Sequence, residues 1–199
     1  DTVYDLASLT KPVIALCALK LVQRGVIDLS ASAATYVPEL EGTPGGDAPL
    51  SLLLSHRAGL TPWGGLYRAV PGPHGSAETR AFMLREAATR VDPAPPAQGS
   101  VYSDLGYMVA GEALSRASGL SLDQLLAREV TRPLGIERQL FYAAALDINA
   151  HDLLLTRVAP TEQCSFRHRL LRGEVHDENA GAFGGIAGHA GLFGTVEAV

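Results

Sequence analysis

The chain has 199 residues, of which 47% are hydrophobic and 19% are charged, and its formal net charge at neutral pH is −5. This composition is typical of a packed globular protein and excludes a disordered chain. The small negative charge, without a long run of lysine and arginine, argues against a nucleic-acid partner.

The first strong pattern is the segment Ala7-Ser8-Leu9-Thr10-Lys11-Pro12, which opens the most apolar helix in the sequence. Residues 13–22 are apolar except for Lys20, and Arg24-Gly25 is typical of a helix end. We therefore predict a helix from Ser8 or Leu9 to Arg24. This ten-residue run is too short to span a bilayer, so the helix is expected to border a protein core.

Ser8 and Lys11 are three residues apart, which places their side chains on one face of a helix. Serine becomes a strong nucleophile when a neighbouring base takes its proton. Lysine can be that base where burial and the positive end of a helix disfavour its ammonium form. The segment therefore fits acyl transfer through a serine ester, with the Ser8 backbone N–H helping to hold an oxyanion. The alternative is an ordinary N-cap serine beside a lysine.

Capping residues and apolar periodicity predict four further helices, over residues 50–55, 76–90, 105–116 and 121–130. A proline-rich loop is predicted over 92–99, and 141–160 is predicted to be irregular. Residues 175–195 are rich in glycine, which indicates closely packed backbone or strained turns.

A second motif, Tyr102-Ser103-Asp104, makes the overall pattern specific. With it the chain resembles the serine β-lactamase and penicillin-binding protein superfamily, in its class C-like branch. That family carries Ser-x-x-Lys on a buried helix, then Tyr-x-Asn, then a Lys/His-Thr/Ser-Gly strand. Ser8 to Lys11 matches the first motif, and Tyr102 to Asp104 matches the second, with Asp where Asn is usual.

Three other segments support the resemblance. Residues 52–60 resemble the family's Leu-Leu-Thr-His-x-Ser-Gly-Leu element, and Pro133-Leu134-Gly135 matches its usual Pro-Leu-Gly. Residues 171–180, followed by 185–193, resemble a narrower group of periplasmic low-molecular-weight DD-carboxypeptidases and related serine esterases.

The resemblance covers essentially the whole chain and implies an α+β fold of the β-lactamase/DD-peptidase type. We expect mainly the helical domain of that fold, with part of the antiparallel sheet missing, so that 1–199 is one partial domain truncated at both ends. We further expect this chain alone to be poorly soluble and nearly inactive. The resemblance also implies a periplasmic or cell-envelope location, and a cytoplasmic one stays open because the chain contains no signal region.

The resemblance assigns the catalytic roles. Ser8 is the expected nucleophile, Lys11 the base and Tyr102 the proton relay to the leaving group. The alternative for Tyr102 is a half-buried tyrosine with a satisfied hydroxyl. Asp104 only accepts hydrogen bonds when ionised, so it is expected to keep Lys11 protonated or to hold its ammonium as a structural ion pair.

Asp104, Trp63 and His189 are the candidate substrate-binding residues. Trp63, with Tyr67, either lines the cleft or caps the helical core. His189-Ala190-Gly191 does not fit the third motif, because it lacks a hydroxyl to grip a substrate carboxylate and lies in a glycine-rich run without a β-pattern. We therefore expect the third motif beyond Val199.

The expected substrates are D-alanyl peptides, β-lactams or small esters, so the partner is a small molecule or a peptidoglycan peptide. No cofactor and no transmembrane segment are predicted. His176-Asp177-Glu178 lacks companions at metal-binding spacing, and His56 is expected to fix a loop. A second hypothesis is a non-catalytic module of the same fold that senses cell-wall peptides, favoured by Asp104 and by the missing third motif.

Overall fold

A computed structural model describes residues 2–93 and 99–199 of the chain. Helices hold far more of its residues than strands do, and five short strands form two small antiparallel sheets. The helices are α1 (Thr10–Gln23), α2 (Pro44–Asp47), α3 (Leu50–Leu54), α4 (Ala77–Thr89), α5 (Asp104–Ser118), α6 (Leu122–Leu126), α7 (Arg132–Leu134), α8 (Ile148–Leu155) and α9 (Glu178–Ala182). The strands are β1 (Tyr4–Asp5), β2 (Leu140–Tyr142), β3 (Gln163–Cys164), β4 (Arg169–Leu170) and β5 (Leu192–Gly194).

Helix α1 follows a 3₁₀ turn over Ala7–Leu9, so the predicted helix is present with Ser8 in the tighter turn that precedes it. One side of α1 is buried against the other helices through Ile14 and Leu21. Its other side leaves Leu16 and Leu19 41% and 56% exposed. Apolar residues therefore occupy both sides of this helix, as its sequence predicts.

The other predicted helices correspond to α3, α4, α5 and α6. Ser76 caps α4 by accepting the Thr79 N–H, and Gly119 ends α5 in the left-handed conformation, with a φ of +67°. Helix α6 continues through a π-helical turn over Ala127–Thr131 into α7. Of the loop predicted over 92–99, residues 94–98 lie outside the described part of the chain.

Two predictions about irregular structure were wrong. Residues 141–160 contain α8, whose start is capped by Asp147 through the Ala150 N–H. The glycine-rich run ends in β5, the central strand between β1 and β2. Both faces of β5 are buried, so Leu192 and Phe193 are apolar in succession and the alternating pattern of a half-exposed strand is absent.

The three-stranded sheet brings distant parts of the chain together. Asp5 of β1 and Phe141 of β2 both lie opposite Phe193 of β5. Because β1 comes just before Ser8 and β5 just after His189, the sheet places these two residues on neighbouring segments. Among the described residues, no helix has the length and apolar character required to cross a bilayer.

Helix α5 is the centre of the helical body and packs against α1, α3, α4 and α6. The glycine-rich segment also crosses it at close range. A Cβ at Gly111 would lie 2.8 Å from the Gly188 Cα, and a Cβ at Gly188 would overlap the Tyr107 carbonyl oxygen. Only glycine therefore allows the segment that carries His189 to approach α5 this closely.

This close approach predicts the effect of Gly188→Ala in the full-length protein. The added methyl group would force two backbone segments apart. We therefore expect the free energy of unfolding to fall by about 1–3 kcal/mol. Gly106→Ala is the matched control, because its Cβ would have no neighbour nearer than 3.6 Å and Gly106 lies inside α5. Urea denaturation should show Gly106→Ala to be neutral or stabilising. Equal stability of the two variants would contradict this packing.

Candidate active site

Ser8 and Lys11 meet at the start of α1. Ser8 is exposed in its 3₁₀ turn, whereas Lys11 is 3% exposed in the first helical turn. The Lys11 Nζ lies 2.9 Å from the Ser8 Oγ. The three-residue spacing therefore produces a direct hydrogen bond between an accessible hydroxyl and a buried amine.

Two further oxygen atoms contact the Lys11 amine. The His189 carbonyl oxygen accepts a hydrogen bond from Nζ at 3.1 Å, and the Asp104 Oδ1 forms an ion pair with Nζ at 2.6 Å. The Lys11 Nζ therefore donates hydrogen bonds to the Ser8 Oγ and the His189 carbonyl, and the Asp104 carboxylate adds an ion pair. The ion pair between Lys11 and Asp104, one of the two roles expected for Asp104, is present in the structure.

Tyr102 covers the same amine from the solvent side. Tyr102 is 51% exposed, and its ring centroid lies 4.7 Å from the Lys11 Nζ. This is within the range of a cation–π contact. The structure therefore brings Ser8, Lys11 and Tyr102 together, with the Tyr102 ring over the amine.

His56 holds Tyr102 in this position. The His56 Nδ1 accepts the Ser103 N–H at 3.0 Å, and its carbonyl oxygen accepts the Val101 N–H at 2.9 Å. The rings of His56 and Tyr102 are 4.6 Å apart at their centroids. His56 itself has a φ of +60°, an uncommon conformation for a residue with a side chain. The expectation that His56 fixes a loop agrees with these contacts, and the loop carries Tyr102.

The start of α5 anchors the loop that carries Trp63. The Ser103 Oγ donates to the Thr61 carbonyl at 2.7 Å, and the Asp104 N–H donates to the Pro62 carbonyl at 2.8 Å. Trp63 follows directly and is 44% exposed. Tyr67, by contrast, is buried, so it belongs to the core. These contacts place the Trp63 loop beside the second motif.

The side chain of His189 is buried and does not line an open surface. Its side chain is 1% exposed, and its Nε2 lies 3.0 Å from the Asp177 Oδ1. Burial raises the pKa of Asp177, but the contact with His189, the Ala180 N–H and the charge of Lys11 together lower it to about 2. His189 reaches the candidate site through its backbone carbonyl, because its ring is directed into the protein.

Comparison with known families shows which family the chain belongs to. The Beta-lactamase family matches the chain over residues 1–199. The chain belongs to the beta-lactamase family. The predicted superfamily and its α+β fold are thereby confirmed.

The curated relatives that this chain matches are named as carboxypeptidases. A protein of Salmonella agona strain SL483, named "Putative D-alanyl-D-alanine carboxypeptidase", is 30% identical over 218 residues, covering 97% of this chain and 48% of the relative. The chain therefore spans about half the length of the curated relatives it matches.

Two solved structures show the same fold. A class C β-lactamase from Rhodobacter sphaeroides superposes with a TM-score of 0.69 at 20% identity, over 100% of this chain and 49% of the other. An octameric penicillin-binding protein homologue from Pyrococcus abyssi gives a TM-score of 0.71 at 22% identity, over 99% and 43%. At these identities the likeness concerns the fold alone.

Asp5 of β1 supports Ser8, although no sequence motif indicates it. The Asp5 Oδ1 accepts the Ala7 N–H at 2.8 Å, and its Oδ2 accepts the His176 N–H at 2.7 Å. Ala7 has a φ of +44°, so the residue before Ser8 is held in the left-handed region. Asp5 thus ties this strained turn to the 171–180 segment. Its signal was an aspartate two residues before a turn.

Asn179 is a second missed residue, and it supports the Trp63 loop. Asn179 is fully buried; its Nδ2 donates to the Gly64 carbonyl at 2.7 Å, and its Oδ1 accepts the Tyr67 N–H at 3.1 Å. Asn179 lies in the 171–180 segment that carries part of the family resemblance, but no local pattern indicates its partners.

His176 pairs with Glu162 at 3.2 Å. In the described part of the chain, no three His, Cys, Asp or Glu residues are grouped as metal ligands.

The position of His56 predicts a pH-dependent contribution to stability. Burial, followed by the charge of Lys11, lowers the pKa of His56, while Asp104 and the Ser103 N–H oppose this shift. Neutral His56 therefore contributes stability fully above about pH 6.5, its unfolded value, and loses it as the pH falls through the lowered folded pKa.

His56→Asn is the variant that tests this in the full-length protein, since asparagine tolerates the left-handed backbone and does not titrate. We expect wild type to be more stable by about 1 kcal/mol at pH 8, with the difference narrowing below pH 6.5. Urea denaturation from pH 5 to pH 8 measures it. A difference that stays constant over this range would contradict the assignment.

Proposed function

We propose that the protein containing this chain is a serine hydrolase that forms an acyl-enzyme on Ser8. The observation that carries the proposal is the 2.9 Å contact between the exposed Ser8 hydroxyl and the buried Lys11 amine. The half-exposed Tyr102 ring beside the same amine supports it.

In the proposed reaction, the Ser8 Oγ attacks the substrate carbonyl carbon while its proton passes to the Lys11 Nζ. The Ser8 backbone N–H is a candidate donor to the oxyanion that develops. Tyr102 gives its phenolic proton to the leaving group as the scissile bond breaks, and recovers a proton from Lys11. Water then attacks the Ser8 ester, releasing the acid and restoring the serine hydroxyl.

The proposed substrates are D-alanyl peptides, β-lactams or small esters. The name of the Salmonella relative supports a carboxypeptidase, as does that of a Yersinia pestis protein titled β-lactamase/D-alanine carboxypeptidase, which has a TM-score of 0.64 at 23% identity. Asp104, at 16% side-chain exposure, and the exposed Trp63 are the proposed substrate contacts. A peptidoglycan substrate would place the protein in the periplasm or cell envelope.

The second candidate is a non-catalytic module that binds cell-wall peptides. The observation that favours it is the 2.6 Å ion pair between Lys11 and Asp104. A carboxylate at this distance favours the ammonium, which cannot accept the Ser8 proton. The two candidates therefore differ in whether Ser8 becomes covalently labelled.

Labelling of the full-length protein with a fluorescent penicillin and a fluorophosphonate separates these candidates. We expect Ser8→Ala to abolish labelling and Lys11→Arg to slow acylation by about 10²–10⁴-fold, since arginine does not act as a base. The acylation rate should be followed against pH by in-gel fluorescence.

Matched controls are Ser51→Ala, at an exposed serine of α3, and Lys20→Arg, on the same helix as Lys11. Both should react like wild type. Labelling that survives Ser8→Ala would refute the nucleophile. A wild-type protein that binds cell-wall peptides but labels with neither probe would favour the binding module.

A further inference from the structure

The Asp177–His189 pair lies behind the Lys11 amine. Asp177 precedes α9, and its Oδ1 accepts both the Ala180 N–H at 2.7 Å and the His189 Nε2–H at 3.0 Å. With its pKa lowered to about 2, Asp177 is ionised at neutral pH and can only accept, so the shared proton belongs to the His189 ring.

This contact is the polar anchor of the His189 side chain. The ring is 1% exposed, and its other nitrogen, Nδ1, is buried without a hydrogen-bond partner among the described residues. The backbone around His189 belongs to no helix or strand, since it lies between α9 and β5. Side-chain contacts and glycine packing therefore position it: the Tyr142 hydroxyl holds the Ala187 carbonyl at 2.9 Å, and Asp177 holds the His189 ring itself.

The carbonyl of this same residue contacts Lys11. The His189 oxygen accepts from the Lys11 Nζ at 3.1 Å across 178 residues of sequence. When neutral, a lysine amine has two N–H donors and one lone pair. The hydrogen bond to the His189 carbonyl restricts rotation of this amine about its Cε–Nζ bond, so that the lone pair can be directed at the Ser8 hydroxyl.

We propose that Asp177 is a positioning residue: by anchoring the His189 side chain, it holds the His189 carbonyl where that oxygen orients the Lys11 amine toward Ser8. This inference rests on the proposed function, in which neutral Lys11 takes the Ser8 proton. A small misplacement of such a base is costly, because proton transfer requires hydrogen-bond distance and alignment.

The test uses two substitutions of Asp177 in the full-length protein. Serine keeps the cap on the Ala180 N–H but is too short to reach His189. Asparagine keeps an acceptor oxygen for both partners. We expect Asp177→Ser to lower the acylation rate at saturating fluorescent penicillin by about 10–100-fold with little change in probe affinity. Asp177→Asn should recover most of the rate.

Asp147→Ser is the matched control, because Asp147 caps α8 through the Ala150 N–H in the same way. It should acylate like wild type, which separates positioning from loss of a helix cap. Equal acylation rates in Asp177→Ser and wild type would overturn the proposal, as would a purely affinity-based defect.

A crystal structure of Asp177→Ser gives a readout independent of catalysis. We expect the His189 carbonyl to move out of hydrogen-bond range of the Lys11 Nζ, and an unchanged contact near 3.1 Å would overturn the proposal even if no probe labels the protein. Absence of wild-type labelling would instead count against the proposed function.

If Asp177→Ser does not fold, His189→Ala and His189→Gln repeat the comparison, since glutamine retains an N–H for Asp177. The proposal then fails if both acylate at the same rate.

Discussion

Burial of the Lys11 amine is the constraint on which the arrangement of this protein depends. A buried amine is costly unless its donors are satisfied, and here the three oxygens come from three separate stretches of chain. Ser8 lies in the turn before α1, Asp104 is the first residue of α5, and His189 lies in the segment before β5. Satisfying one side chain therefore sets the relative positions of all three.

The glycine-rich segment is built to deliver one of these oxygens. Gly188 lets the segment approach α5 at backbone distance, and Gly191 has a φ of +120°, which favours glycine. The buried Tyr142 hydroxyl donates to the Ala187 carbonyl at 2.9 Å, while Asp177 holds the His189 ring. The glycines thus allow the segment to approach α5 closely, and the flanking polar contacts fix the position of His189.

Asp104 separates two interpretations of the same geometry. Where the family usually has an amide, this chain has a carboxylate 2.6 Å from the Lys11 Nζ. That contact supplies a carboxylate partner to a buried amine, which fits either a catalytic pair or a purely structural ion pair.

The sequence by itself determined the features that depend on interactions between residues close together in the chain. The spacing of Ser8 and Lys11 predicted their contact because a helical turn carries residues three apart onto one face. Capping and periodicity predicted α3 to α6, and the ordered motifs predicted the family. Helix α8 and strand β5 were missed, and so were the partners of Asp5, Asp177 and Asn179. Only the tertiary structure decided that His189 turns its ring to Asp177, 12 residues away, and its carbonyl to Lys11, 178 residues away, because neither contact follows a helix or strand period.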